Sequence, residues 1–218
     1  MTRTPTRRAL LAAATALALP LAGCGSGEPA DDAAAASTAP AAPSAAEAAP
    51  PAPTGPFGPG CAALPPEGPG SPAALAAAPA ATAMSTVPGL THTTATVQAA
   101  TLAASLDATQ DLTVLAPVDG AFTAVPPATL APLLADTPRL TALVTHHVIA
   151  GRLAPGELAG THTTLDGGQV TIDGEGEAFT VSADQTLLGA ADATVTCGNL
   201  LTLNATVYLV DQVLTPAA

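Results

Sequence analysis

The chain has 218 residues, of which 48% are hydrophobic and only 2% aromatic, with no Trp, one Tyr and three Phe. It carries 17 acidic residues against five basic ones, for a formal net charge of −12 at pH 7. A surface this negative repels phosphate backbones and anionic headgroups, which excludes a nucleic-acid-binding function. A core made from this composition has to be aliphatic, so Val, Leu, Ile and Ala carry the packing.

Residues 1–23 are predicted to be a lipoprotein signal peptide. Three arginines precede an apolar stretch, residues 9–22, that is too short to cross a bilayer as a helix. The stretch ends in Leu21-Ala22-Gly23-Cys24, which resembles a bacterial lipobox, so Cys24 is predicted to be lipidated. An ordinary secretory cleavage site is the alternative, and a twin-arginine export route is left open by Arg7 and Arg8.

Lipidation would place the mature chain on the outer face of the cell membrane, because two acyl chains hold a protein stably. No second apolar run is long enough for a transmembrane helix, so attachment is expected through the lipid alone, with a released fraction left open. After cleavage only Arg139 and Arg152 remain basic against the 17 acidic residues, a formal charge of −15.

Residues 24–58 are predicted to form a disordered tether. The segment is almost wholly Gly, Ala, Pro, Ser, Thr and acidic residues, and its only large apolar side chain is Phe57. It cannot bury enough surface to offset the entropy of ordering. Its prolines favour extended conformations, which gives a reach on the order of 100 Å. An extension that carries Cys61, residues 59–72, leads into a single domain over residues 73–216.

The first half of this domain is predicted to be helical. Apolar residues recur at i, i+3, i+4 and i+7 between Ala99 and Leu106, which predicts one short helix. Residues 112–116 alternate as a strand that Pro117 stops. Asp119 is then predicted to be the N-cap of the turn that carries Phe122.

Two further helices follow. Residues 126–135 predict the first, and Thr137-Pro138 supply an N-cap and a first-turn proline for the second. An apolar face on the second helix consists of Leu140, Leu143, Val144 and His147. His147 is therefore predicted to be a buried, hydrogen-bonded structural residue. His146 points about 100° away from this face.

The second half is predicted to consist of strands. Residues 170–172 and 179–181 flank a Gly-rich hairpin connection at 173–177. Residues 193–196 and 206–213 complete the strand-rich part. Helices first and strands later predict an α+β fold, with helices packed on a mainly antiparallel sheet system.

Two segments resemble the signature boxes of the fasciclin domain. The first, Thr113–Phe122, has the pattern strand-Ala-Pro-x-Asp-x-Ala-Phe, and the second, Asn204–Leu214, has Asn-Ala-x-Val-Tyr-x-x-Asp-x-Val-Leu. His147 lies between them at the place that the family pattern leads one to expect. The resemblance covers about residues 73–216 and implies a wedge-shaped β-sandwich with a small helical layer. It implies structural roles for nine motif residues: Ala116, Pro117, Asp119, Phe122, His147, Asn204, Val207, Tyr208 and Asp211.

With Cys24 lipidated, Cys61 and Cys197 remain as a pair in an oxidising compartment. We predict a disulfide between them, with two free thiols as the alternative. Segments similar to Gly58-Pro-Gly-Cys61 and Val195-Thr-Cys-Gly198 occur just ahead of the domain and late in it in some bacterial fasciclin lipoproteins.

No pattern predicts catalysis, a metal or a cofactor. The chain lacks Gly-x-Ser-x-Gly, a Cys with a plausible His partner and a phosphate-binding loop with Lys. Neighbouring histidines on a helix cannot both face one metal ion. Asp173, Glu175 and Glu177 alternate and could attract Ca²⁺, but they lack the calcium-loop pattern, and a solvated hairpin tip is favoured.

The expected function is adhesion or recognition of a cell-surface or matrix protein or glycan, without catalysis, by a monomer. A carrier that holds a small apolar ligand between sheet and helices is the alternative. Many fasciclin domains have Tyr where His146 stands, and that Tyr-His pair has been linked to receptor binding in animal members; this chain departs from it. Asn204-Ala-Thr206 matches the N-glycosylation pattern but is interpreted as structural, because it lies in the second box.

Overall fold

The computed structural model describes residues 54–216. The predicted signal peptide, the lipidation site Cys24 and the tether up to residue 53 lie outside the described residues. Over the described range, no helix is long and apolar enough to span a membrane.

Helices dominate the first half of the described range and strands the second. The helices are α1 (Pro72–Ala76), α2 (Ala80–Met84), α3 (Thr91–Ala99), α4 (Ala103–Ala108), α5 (Asp119–Ala124), α6 (Pro127–Ala135) and α7 (Thr137–His146). The strands are β1 (Leu112–Pro117), β2 (Val148–Ala150), β3 (Gly160–Thr163), β4 (Gln169–Glu175), β5 (Ala178–Val181), β6 (Ala193–Leu201) and β7 (Ala205–Val210). Short 3₁₀ turns lie at Pro59–Ala63, Pro155–Glu157 and Ala183–Gln185.

The strands form a sheet in the order β2-β1-β7-β6-β5-β4-β3. The neighbouring strands β1 and β7 are parallel and in register from Leu112 beside Ala205 to Pro117 beside Val210, and the other pairings are antiparallel. A further bridge joins Ile149 of β2 to Thr164 just after β3. The two edges of the sheet therefore meet, and the sheet folds over on itself. The α+β prediction is confirmed.

Two hydrophobic cores lie on opposite faces of β1 and β7, and both strands are buried along their whole length. Val114 and Val207 face the helical layer, where they join apolar residues of the helices. Leu115 and Tyr208 face the other way, into a core between the two halves of the folded sheet. Burial on both faces explains why these two strands are continuous apolar runs. They are also the segments that the sequence marks most clearly.

Phe57 belongs to the fold, which moves the end of the predicted tether. The prediction that the tether extends to residue 58 is wrong, because Phe57 is buried in the core between the sheet halves. Its ring lies 5.9 Å from Phe179 and 6.3 Å from Tyr208 between centroids. Its backbone pairs with Gly198, where a Cβ atom would overlap the Phe57 ring.

The predicted disulfide is present: Cys61 and Cys197 are bonded, with their Cα atoms 4.9 Å apart. It closes a loop with a sequence separation of 136 residues, which in the chain-entropy model stabilises the fold by about 5 kcal/mol. The bond attaches the segment before α1 to β6 in the middle of the sheet.

Two helix predictions need correction. The single helix predicted between Ala99 and Leu106 is interrupted, because Thr101 has a positive φ of 58° and α4 starts anew at Ala103. The N-cap of α7 is Asp136, whose side chain accepts the N–H of Arg139 at 3.1 Å, and Thr137 is the first helical residue. An Asx cap competes well with Thr at this position.

The hairpin prediction is confirmed: β4 and β5 pair from Ile172–Val181 to Glu175–Ala178, which leaves a two-residue turn at Gly176-Glu177. Strand β6 runs further than predicted, to Leu201, with register irregularities against β7. The short strands β2 and β3 had no sequence prediction.

Candidate recognition surface

Asp119 of the first box connects two helices. Its Oδ1 accepts the backbone N–H of His92 at 2.7 Å, in the first turn of α3. The residue before α3, Leu90, has no side chain that can cap this helix. Asp119, which is distant in sequence, instead accepts one of the N–H groups in the first turn of α3. The prediction that Asp119 caps its own turn is wrong, since Asp119 is the first residue of α5 and Val118 precedes it.

The surroundings of Asp119 favour its charged form. Partial burial raises the pKa of this carboxyl, but hydrogen bonds from His92 and Thr91 outweigh that effect, and the pKa lies below its ordinary value.

Asn204 of the second box joins two more helix ends. Its Oδ1 accepts the N–H of Ala80 at 2.8 Å where α2 begins. Its Nδ2 donates to the carbonyls of Leu106 at 2.7 Å and Thr109 at 2.5 Å, where α4 ends. The amide is buried and fully used, which supports a structural role over glycosylation.

The other motif residues also lie within the scaffold. Tyr208 donates its hydroxyl to the Leu153 carbonyl at 3.0 Å, and burial raises the pKa of this phenol above its ordinary value. Asp211 accepts the N–H of Thr194 at 2.6 Å where β6 begins. Buried positions in the core next to the helices hold Ala116, Phe122 and Val207, and Pro117 ends β1.

His147 is buried between α7 and the C-terminal segment, as its helical spacing predicts. Its Nδ1 lies 2.8 Å from the Leu143 carbonyl, and its Nε2 accepts the N–H of Leu214 at 3.0 Å. Those two partners require a neutral ring with the proton on Nδ1. Desolvation lowers the pKa of His147 to about 4, so the ring stays neutral at physiological pH.

His146 is buried too, although the helical spacing directed it away from the apolar face. Its Nδ1 lies 3.0 Å from Oδ2 of Asp166 in the turn between β3 and β4. Asp166 also accepts the Thr164 hydroxyl and the Gly168 N–H. This turn covers the end of α7, and no local signal in the sequence reveals that long-range contact. The Asp-Gly-Gly sequence at 166–168 could have predicted the turn itself.

Desolvation raises the pKa of the Asp166 carboxyl. Hydrogen bonds from Thr164 and Gly168, together with the nearby His146, lower this pKa by more. The net effect is a pKa below the ordinary value.

A surface groove of about 340 Å³ lies between α3, α5 and α6. We name it the α6 groove; its lining is His92, Phe122, Thr123, Val125, Pro127, Leu130, Ala131 and Leu134. None of the residues of α6 is buried, although the helix is rich in Leu, Ala and Pro. Sequence reasoning missed this surface, and the lack of any charged residue in α6 is the signal that could have found it.

The polar end of the α6 groove is a histidine–aspartate pair. The Nδ1 atom of His92 lies 3.0 Å from Oδ1 of Asp119, and the imidazole stacks on Phe122 with 5.7 Å between centroids. Thr123, which also lines the groove, donates its hydroxyl proton to the Gly120 carbonyl at 2.9 Å. That hydroxyl is engaged with the backbone, so the arrangement offers contacts for binding and no activated nucleophile at this position.

A separate apolar cavity lies where the carrier hypothesis places its ligand, between the helices and β1, with Met84, Phe122 and His147 in its lining. Its volume is about 30 Å³. That is roughly the space of one water molecule, well below the several hundred Å³ of ordinary ligand sites.

No cluster of three His, Cys, Asp or Glu side chains suited to a metal ion occurs within residues 54–216. Asp173, Glu175 and Glu177 are exposed along the hairpin, with Asp173 in β4 and not at the tip.

Comparison with known proteins identifies related chains. Immunogenic protein MPB70 of Mycobacterium bovis is 42% identical over 106 residues, which is 49% of this chain and 50% of that protein. Cell surface glycolipoprotein MPB83 of the same species is 39% identical over 108 residues, 50% of this chain and 45% of that one. The chain thus spans about half the length of the curated relatives it matches.

A solved FAS1 domain pair from the insect cell adhesion molecule Fasciclin I aligns with a TM-score of 0.47 at 11% identity, over 65% of this chain and 51% of that one. The model of the fasciclin domain family matches residues 88–216, which is more than half of the chain and includes both signature boxes. The chain belongs to the fasciclin domain family.

Proposed function

We propose that this protein is a lipid-anchored, non-catalytic recognition protein of the cell surface that binds a protein partner through the α6 groove. The lipobox ending at Cys24 supports the anchor, and the similarity to MPB83, a cell surface glycolipoprotein, supports the location. The Cys61–Cys197 disulfide is in keeping with an exported chain.

The observation that carries the proposal is an apolar helix without buried residues beside a groove of ligand size. Leu130 and Leu134 of α6 line the groove together with the stacked rings of His92 and Phe122. Such a lining suits aliphatic side chains of a protein segment. A glycan needs more polar partners than His92 and Thr123 supply.

Charge narrows the kind of partner. No Lys or Arg lines the groove, Asp119 lies at its polar end, and the mature chain has a formal charge of −15. The partner segment is therefore expected to combine aliphatic side chains with a positive charge, and binding is expected to weaken with added salt.

The test compares two leucines with equal exposure. Leu134 in the groove and Leu165 in the β3–β4 turn are each 43% exposed, so Leu134→Asp and Leu165→Asp are matched variants. Binding of the purified chain from residue 24 onward to intact cells is measured by flow cytometry. We expect a loss of about tenfold or more for Leu134→Asp and little change for Leu165→Asp.

Equal binding by both variants would overturn the assignment of the groove. Treating the cells with protease or with glycosidases before binding separates the two partner classes. Binding that resists protease and disappears with glycosidases would replace the protein partner by a glycan.

The carrier alternative is disfavoured by the small volume of the interior cavity. Native mass spectrometry of the purified protein tests it directly. A small molecule retained at one equivalent would revive it and would require α3 and α7 to move away from β1.

A further inference from the structure

The connection between β6 and β7 presents exposed apolar side chains. Leu203 is 61% exposed and Leu201 is 45% exposed, the two highest values among the large hydrophobic side chains of the described residues. We name Leu201–Leu203 the β6–β7 tip. Isolated exposed leucines are ordinary on protein surfaces, but two on one tight connection form a protruding apolar point.

The β6–β7 tip is held firmly by backbone contacts. The N–H of Leu203 donates to the Ala78 carbonyl at 2.9 Å, just before α2. The guanidinium of Arg152 donates to the carbonyls of Thr202 at 3.2 Å and Leu203 at 3.1 Å. Within residues 54–216 Arg152 has no carboxylate partner, so a positive charge lies beside the two leucines. Although the chain as a whole is acidic, leucines next to an Arg that has no carboxylate partner suit the apolar and phosphate layers of a lipid surface.

The chain enters the domain at this same end. Phe57 pairs antiparallel with Gly198 of β6, and Asn199 donates its side-chain amide to the Gly55 carbonyl at 3.2 Å. Followed backward from Phe57, the backbone therefore runs along β6 toward Leu201. About 30 residues separate the first described residue from Cys24.

We propose that the β6–β7 tip inserts into the lipid surface to which Cys24 attaches the chain. The proposal rests on the proposed function for the anchor, and it adds a second, protein-made contact with the membrane. The two leucines are already about half buried, so their further burial favours association on the order of 10–10²-fold, which is weaker than one myristoyl chain. The tether offsets this weak association, because it keeps the tip near the membrane at an effective concentration on the order of millimolar.

The insertion sets the direction of the recognition surface. Strand β1 begins with Leu112 beside Ala205, next to the β6–β7 tip, and ends with Pro117 beside Val210. Helices α5 and α6, which wall the α6 groove, follow that far end. A domain inserted by its tip thus presents the groove away from the membrane.

The test exploits the lack of tryptophan in the chain. Residues 24–218 without lipid are coupled through the thiol of Cys24 to maleimide lipid in phosphatidylcholine vesicles, since Cys61 and Cys197 are bonded to each other. Leu203→Trp reports on the tip, and Leu134→Trp, at an exposed leucine on the far end, is the control. Dibrominated phosphatidylcholine quenches a tryptophan only where it enters the lipid.

We expect quenching about fivefold stronger for Leu203→Trp than for Leu134→Trp, together with a blue-shifted emission. Adding Leu201→Asp to Leu203→Trp is expected to lower the inserted fraction about tenfold. Unfolding curves of the three variants, measured without vesicles, establish that each one is folded.

Equal quenching at both positions, no quenching at either, or quenching that survives Leu201→Asp would overturn the proposal. The chemical coupling replaces the biological anchor, so this experiment does not depend on lipidation in the cell. Mass spectrometry of the N-terminal peptide from membranes tests lipidation separately, and a missing diacylglyceryl group there would contradict the proposed anchor and not the insertion.

Discussion

Two histidine–aspartate pairs in this domain have the same length and different surroundings. In both, Nδ1 of the imidazole lies 3.0 Å from an aspartate oxygen. The His92 side chain is 52% exposed at the polar end of the α6 groove, whereas the His146 side chain is 2% exposed beneath the β3–β4 turn. Water screens the first pair more strongly than the second, in which His146 is buried and Asp166 is 13% exposed, so equal distances correspond to unequal energies.

The partners of each aspartate complete the contrast. Asp119 accepts a backbone N–H at the start of α3. Most of its contribution to stability therefore comes from capping this helix, and little comes from its contact with the imidazole. Asp166 accepts hydrogen bonds from the Thr164 hydroxyl and the Gly168 N–H. It also gives the Nδ1 atom of the buried His146 ring a hydrogen-bond partner. The exposed pair is accessible to solvent, and the buried pair fastens a turn to the end of a helix.

The largest expected effect is at the buried pair. Asp166→Ala should lower the free energy of unfolding by about 3 kcal/mol, because it removes the carboxylate partner of the buried His146 and frees two further donors. Chemical denaturation at pH 7 measures it. A loss no greater than that of Asp119→Ala would show that burial does not distinguish the two pairs.

His147 sharpens the comparison, because it is buried without any carboxylate partner. Its pKa is about 4 in the folded state against 6.5 ordinarily, so on acidification the unfolded chain takes up this proton first. The contribution of neutral His147 to the free energy of unfolding is fully present above pH 6.5. It decreases by about 3 kcal/mol as the pH falls to about 4. Denaturation of the wild type and of His147→Gln over this range should show the slope only in the wild type.

The contribution of Asp166 belongs to a different pH range. Because its pKa is lowered, its stabilisation is present above the ordinary value of 3.8 and disappears as the pH falls further. A His147→Gln variant that kept the full slope between pH 6.5 and 4 would contradict the assignment of that slope to His147.

A smaller effect is expected for the exposed aspartate. Asp119→Ala should cost about 1 kcal/mol, because α3 loses the acceptor for its first turn. Thermal unfolding measures the loss, and Asp119→Asn is the control that retains an acceptor and recovers most of it. No recovery by Asn would mean that the charge, and not the helix end, matters at this position.

The smallest effect concerns the exposed imidazole. His92→Ala should change the free energy of unfolding by no more than about 0.5 kcal/mol, because its pair is solvated. The same variant should weaken partner binding if the α6 groove is the recognition surface, which cell-binding titrations measure. A much larger loss of stability would show that the His92–Asp119 pair contributes to folding as the buried His146–Asp166 pair does.

The sequence predicts the parts of this fold whose signals are local. Strands β1 and β7 are apolar on both faces and match the two boxes, so their positions and the α+β class follow from the pattern alone. The burial of His147 follows from helical spacing. The disulfide follows from counting cysteines in a chain whose sequence predicts export.

The remaining features depend on contacts between distant residues. Asp119 looks like the cap of its own helix but accepts from α3, 27 residues earlier. The spacing of α7 directs His146 outward, yet the β3–β4 turn folds over it. Phe57 looks like part of a tether until β6 supplies Gly198 as its neighbour. The α6 groove is formed by three helices together, so no single segment of the sequence predicts it.

The Cys61–Cys197 bond determines how the domain responds to a pulling force. If the proposed anchor and a bound partner are pulled apart, tension first loads the pairing of Phe57 with Gly198 and then passes from Cys61 through the sulfur atoms into β6. That strand lies between β5 and β7 within the sheet. The bond therefore shields α1 and α2 from being peeled away one after the other. We therefore expect the domain to resist a pulling force while the disulfide is intact and to extend more readily once a reductant opens it.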